Sequence, residues 1–170
     1  MKQLFYNIKL YFTDREYYHQ RKRYLKRQKA VRKELKQQAK EFCPWSGYYM
    51  HKMIKTMLEF YHATYLAGDC CWREKSGVEE IATCLGVAKH WFDALDGLDD
   101  LDDDAIIQTA QKDAEFEDYV SAWEYKAGAT ISESNHPDLM LAALAYEYLE
   151  EKYTKALYNI IGNHIWEWCD

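Results

Sequence analysis

An all-α fold, a single-domain helical bundle of five to six helices with long first and last members, is predicted by three features of the sequence. Only two prolines and seven glycines interrupt 170 residues that are rich in Leu, Ala, Glu, Lys and Tyr, a composition that favours helix and offers little β-branched alternation for strands. Apolar residues recur at steps of three and four, the spacing that lines one face of an α-helix. Start and stop residues fall between these periodic runs. At 48% hydrophobic the chain holds enough material for one core, so residues 1–170 read as one domain. Within it, residues 1–42 form a basic segment and helix, and residues 43–170 an acidic helical remainder.

The opening Met1 to Phe12 is apolar but broken by Lys2, Asn7 and Lys9, which predicts neither a secretory leader nor a membrane span. A first helix follows from Asp14, a good N-cap, to Phe42, where Pro44 disfavours continuation. Its apolar stripe is Tyr17, Tyr24, Val31, Leu35, Ala39 and Phe42. Arg21, Lys22, Arg23, Lys26, Arg27, Lys29, Arg32, Lys33 and Lys36 cover much of the rest, making either a solvated arm or the wall of an anion site.

Ser46 caps a second, central helix that ends before Gly68. Met50, Met53, Ile54, Met57, Leu58, Tyr61 and Tyr65 form its wide apolar face, flanked by a row of His51, Lys55, Glu59 and His62. Ser76-Gly77-Val78-Glu79 is a capping box opening a third helix that reads to Asp96 and closes at Gly97; Ile81, Cys84, Leu85, Ala88, Trp91, Phe92 and Leu95 face its core. The acidic run from Asp99 to Asp104 supplies a linker and an N-cap. It lacks the glycine and glutamate of a calcium-binding EF-hand. Residues 104–127 read as two short helices meeting near Asp113, with Ile106, Ile107, Ala110, Phe116, Tyr119, Val120 and Trp123 inward and Gly128 ending them.

After a polar loop, Pro137 opens the last helix, which runs to Cys169 with Ala142, Tyr146, Leu149, Tyr153, Ala156, Leu157, Ile160 and His164 on one stripe. Gly162 inside it suggests a close approach of another helix. At 1.5 Å per residue the first and last helices measure about 43 and 48 Å, beyond the about 30–35 Å diameter of a compact domain this size, so their ends project. The projecting Ile165, Trp166 and Trp168 predict a homodimer burying that end; the alternative is an intramolecular cap by Leu4, Phe5, Ile8 and Phe12.

Charge is strongly divided. Residues 1–42 carry 13 Lys and Arg against 4 Asp and Glu, a balance of +9, leaving 9 against 24, or −15, for the rest. Five cysteines, an odd number with no C-x-x-C spacing, fit a reducing cytoplasm. Phosphate-binding glycine loops, nucleophile elbows and His-Glu-x-x-His are absent, so no motif-bearing enzyme class finds support and no cofactor is expected. Two Glu-x-x-His pairs, Glu16/His19 and Glu59/His62, have the spacing of di-metal carboxylate bundles, which makes a di-metal carboxylate enzyme the third reading, with Glu80, Asp93, Glu147 and Glu150 as loose candidates for the completing carboxylates.

Fifteen tyrosines and six tryptophans beside an arginine-rich helix offer stacking faces and phosphate-gripping forks. A non-catalytic binder of an anionic, nucleotide-like molecule is the first expectation, with Arg21, Tyr24, Arg27, Arg32, His51 and Lys55 as its site. The alternative is an interaction or inhibitor module docking its basic helix on an acidic protein or on nucleic acid. Nucleic acid is the weaker partner because the −15 remainder repels phosphates.

Met57-Leu58-Glu59-Phe60-Tyr61, and the ending Leu157 to Asp170 with its Trp166-Glu167-Trp168-Cys169-Asp170, resemble a loose family of small helical proteins of tailed bacteriophages. Members end in Trp-Trp-Asp, where this chain has Trp168-Cys169-Asp170. The family has no established activity, so the resemblance implies a setting only: the cytoplasm of an infected bacterium, where small proteins block or bind host defence components.

Overall fold

A computed structural model of the protein describes the backbone of residues 2–40, 47–69 and 75–169 and the side chains of 7, 9–40, 51–69 and 77–164. Among the described residues the fold is all-α, with helices α1 (Lys2–Thr13), α2 (Arg15–Lys40), α3 (Gly47–Leu66), α4 (Lys75–Asp96), α5 (Asp103–Gln111), α6 (Glu115–Ala127) and α7 (Pro137–Cys169), and 3-10 turns at Leu98–Asp100 and Ile131–Glu133. No described helix is long and apolar enough to cross a membrane. The chain forms two compact units, Met1–Lys89 with Asn163–Asp170, and His90–Gly162.

The extra helix relative to the expected five or six is α1. Asp14 separates it from α2 and is the N-cap, its Oδ1 accepting from the Tyr17 amide at 2.9 Å. The helical bonding runs on around it, since the Asp14 amide still reaches the Leu10 carbonyl at 2.8 Å. α2 ends at Lys40, and the expected extension to Phe42 lies outside the described residues, as do the turn through Pro44 and the Ser46 cap.

In the first unit α2 and α3 form an antiparallel pair. As the number rises on α2 it falls on α3: Arg23 reaches Asp69 just beyond its end, Arg27 meets Ala63 and Gln38 donates to Thr56 Oγ1 at 2.8 Å, while the Tyr24 ring packs on Phe60 with centroids 6.0 Å apart. The α2 positions turned inward are Tyr17, Arg21, Tyr24, Gln28, Val31, Leu35 and Gln38, alternating steps of four and three. That is a 3.5-residue repeat, the seam of a left-handed helix pair. The expected stripe is corrected at its end, where Ala39 is exposed and the polar Gln38 is buried instead. α3 buries Thr56, Leu58, Phe60, Thr64 and Tyr65 on two sides of its axis, while Lys52, Glu59, Ala63 and Leu66 leave a third side exposed. α4 buries Ile81, Leu85 and Ala88, and its Gly86 faces the His62 ring of α3.

The C-terminus of α3 closes as a Schellman motif. Gly68 takes φ +61°, the Asp69 amide bonds back to Thr64 at 3.0 Å and the Gly68 amide to Tyr65 at 2.9 Å, satisfying carbonyls left open by the helix end. The residue after such a glycine is commonly apolar and packs back on the helix. Here it is Asp69, with no exposed surface.

The second unit is built on Leu98, Ile106, Ala110, Phe116, Ala145, Tyr148 and Leu149. Asp102 caps α5 through the Ala105 amide at 2.8 Å, α5 and α6 meet at Asp113 as expected, and Gly128 at φ +64° ends α6. α7 buries Leu144, Ala145 and Tyr148 in addition to Ala142, Leu149 and Leu157 of the expected stripe. Gly162 is exposed, and no atom of the described residues lies within 4 Å of a Cβ placed on it, so the expected close approach is absent there. Its helix penalty is therefore recoverable: Gly162→Ala raises stability by about 0.5–1 kcal/mol, readable as a higher urea midpoint at unchanged m-value.

Tyrosines of α7 make this unit sensitive to alkali. The Tyr146 hydroxyl donates to Asp99 Oδ1 at 2.6 Å, and this bond, with burial, pushes its pKa up to about 12. Burial raises Tyr148 and Tyr153 as well, and Tyr119 through burial and the field of Glu147. A phenol raised on folding stabilises the fold fully below its unfolded pKa of 10, and the contribution is lost as pH climbs through the folded value. Unfolding titrations should show stability falling between about pH 10 and 12, with Tyr146→Phe flattening that fall.

Candidate functional site

Seven of the eleven cations of α2 fall into two groups. Arg23 and Arg27, one turn apart, are drawn to Asp69. Arg23 Nε donates to Asp69 Oδ1 at 2.6 Å, and Arg27 Nη1 lies 2.8 Å from Oδ2. The Arg27 Nη1 hydrogen bond is directed to the Ala63 carbonyl at 2.7 Å, so Oδ2 keeps an ion-pair contact without a well-aligned bond. The clamp thus ties α2 to the end of α3 and neutralises charge there.

Lys26, Lys29, Arg32, Lys33 and Lys36 form the second group. All five are exposed and line, with Leu25, Gln28 and Ala30, an open groove of about 730 Å³ on the flank of α2. From Lys26 to Lys36 the helix advances about 15 Å. Lysine stems and the half-exposed Leu25 give the groove an apolar floor under a cationic rim, and no carboxylate is among these lining residues. A smaller groove of about 450 Å³ in the second unit, bounded by Gln111, Phe116, Glu117, Val120, Ser121 and Leu141, carries one acid and no cation.

The six residues expected to form a nucleotide site are not gathered into one pocket. Arg21 and Tyr24 are half-buried on the seam toward α3; the Tyr24 hydroxyl accepts from Gln28 Nε2 at 3.2 Å and its ring packs on Phe60. Arg27 belongs to the Asp69 clamp, and Arg32 alone of the six lines the groove. His51 and Lys55 are half-buried on α3, about 120–160° round that helix from the Thr56 and Phe60 side that meets α2.

The two Glu-x-x-His pairs are likewise apart. Glu16, His19 and Glu59 are exposed. His19 packs edge-on to Tyr18 at 5.4 Å and Tyr11 at 6.2 Å, while His62 turns its Nε2 toward Gly86. Among the described residues no three His, Cys, Asp or Glu side chains converge on a possible metal position. In the acidic run, Asp99 is occupied by Tyr146 and Asp102 by the α5 cap. Cys84 is half-buried and in no disulfide among the described residues; the side chains of the other four cysteines lie outside the described residues.

Sequence reasoning missed the role of Asp69, and it left the basic face that holds the groove lysines as either a solvated arm or the wall of an anion site without naming those lysines as site residues. The available signal was the i, i+4 pair Arg23 and Arg27 together with an acid directly after a helix-ending glycine. Comparison with models of protein families, with curated proteins and with solved structures finds no match to this chain.

Proposed function

We propose that this protein is a non-catalytic binding module that engages an acidic partner surface through the outer flank of α2. The observation that carries this reading is the set of five cations, Lys26, Lys29, Arg32, Lys33 and Lys36, lining one open groove with no acid among its described lining residues. An open groove suits a partner that lies along the helix; small-molecule sites instead enclose most of their ligand. In the setting implied by the phage resemblance, the partner is a component of the bacterial host and the protein acts in its cytoplasm. A nucleotide-like defence signal is the second reading, favoured by the groove's volume, which falls in the range of ligand sites.

Calorimetry at low salt with short poly-glutamate, an oligonucleotide and a panel of cyclic nucleotides and ADP-ribose derivatives tests both. Binding of poly-glutamate is expected, weakening as salt rises. Exposed pairs contribute about 0.2–1 kcal/mol each, so Lys29→Glu with Lys33→Glu, which removes two attractions and adds two repulsions, lowers affinity by about 2 kcal/mol, roughly thirtyfold. Heat from the cyclic nucleotides alone would favour the second reading, and no heat from any probe would sink both.

A further inference from the structure

We infer that the α2 groove also takes the acidic ledge Asp99–Asp104 of a second copy of this chain. This rests on reading the groove as a site for acidic surfaces and names one partner that fits it.

The ledge is held in a fixed form. Leu98 beside it is buried, Asp99 accepts from the Tyr146 hydroxyl at 2.6 Å, and Asp102 caps α5. Anchored at these three points, it leaves Asp100, Leu101, Asp103 and Asp104 exposed. A preorganised segment loses little freedom on docking.

Charge and shape both match. The groove has an apolar spot, Leu25 at 45% exposure, among five cations, and the ledge has an apolar spot, Leu101 at 39%, among carboxylates. Asp100 to Asp104 runs from the end of a 3-10 turn into the first turn of α5, so the ledge covers only part of the about 15 Å from Lys26 to Lys36. Every chain carries both a groove and a ledge, so each copy can take the ledge of another. Such a contact weakens in salt, unlike one made by the Trp166/Trp168 end.

Light scattering at about 100 µM protein tests this, using Lys29→Glu with Lys33→Glu as the groove variant and Asp100→Lys with Asp103→Lys as the ledge variant. All these positions are exposed, and circular dichroism checks that each variant remains helical. The expected wild-type mass doubles from the monomer's 20.3 kDa at low salt and returns to it at high salt. Each variant alone stays monomeric, and their equimolar mixture regains the doubled mass, because the intact groove of one meets the intact ledge of the other. A wild-type monomer at every salt concentration overturns the proposal. So does a dimer unmoved by salt and charge exchange, which assigns the contact to the Trp166/Trp168 end. Poly-glutamate binding on the same samples keeps the two readings separate: if the groove variant loses it while the wild type stays monomeric, the groove binds acidic surfaces but not this chain's own ledge.

Discussion

Replacing both Arg23 and Arg27 by alanine is expected to destabilise the fold by about 3–5 kcal/mol, more than replacing Asp69 itself. The asymmetry follows from where water can reach. The side chains of Arg23 and Arg27 are 52% and 34% exposed, whereas that of Asp69 is 0% exposed. Without Asp69 both guanidiniums can hydrate, and Arg27 keeps its bond to the Ala63 carbonyl. Asp69→Ala therefore removes about 1–2 kcal/mol of net charge-assisted bonding. Without the arginines a carboxylate remains buried and unpaired, and Thr64 Oγ1, also buried without a partner among the described residues, is no substitute. Of the single variants Arg27→Ala is the worse, since it strips both Asp69 and the Ala63 carbonyl. Urea unfolding of the variants decides the matter, and an Asp69→Ala loss equal to that of the double arginine variant would refute the argument from burial.

Features set by a few neighbouring residues were legible in the sequence. Asp14, Gly68, Gly128 and Pro137 each open or close a helix where expected, and the acidic run supplies the expected N-cap through Asp102, because a cap depends on one side chain or one left-handed residue within a single turn. The face of a long helix was less legible. From Tyr17 to Gln38 a 3.5-residue seam departs from an ideal 3.6-residue helix by about 20° per heptad, about 60° in all. A stripe continued by steps of four therefore runs to the exposed Ala39 and misses the buried Gln38, whose amide is accommodated by Thr56 on another helix. α1 was missed for a different reason: its apolar residues were weighed against leaders and membrane spans, and a short helix ahead of the Asp14 cap is neither.

The candidate site was legible as a charge run but not as a surface. That α2 is basic is plain from composition, yet which cations face solvent depends on Asp69, 46 residues beyond Arg23. One buried acid takes two arginines out of the run and leaves the lysine-rich flank as the displayed face. His51 and Lys55 were joined to the site by their residue type; helical geometry turns them to another side of α3.

Phe116→Ala is expected to cost the second unit about 3–5 kcal/mol. The ring is 2% exposed and belongs to the cluster of Leu98, Ile106, Ala110, Ala145, Tyr148 and Leu149, and its centroid lies 5.3 Å from that of Tyr148. Truncation removes the ring's transfer energy and opens a cavity beside Tyr148 that the surrounding packed side chains close only in part. Phe116→Leu keeps most of the volume and should cost about 1.5 kcal/mol or less. The cavity also gives a second readout. Burial is the first cause that raises the Tyr148 hydroxyl, with the charge of Glu115 second; water admitted beside the ring relieves the first and leaves the second. Tyr148 should therefore ionise at lower pH in Phe116→Ala than in the wild type, seen as earlier tyrosinate absorbance in an alkaline titration of the folded variant and absent once Tyr148→Phe is added. A loss below about 1 kcal/mol together with an unchanged titration would show that this cluster is not what holds the second unit together.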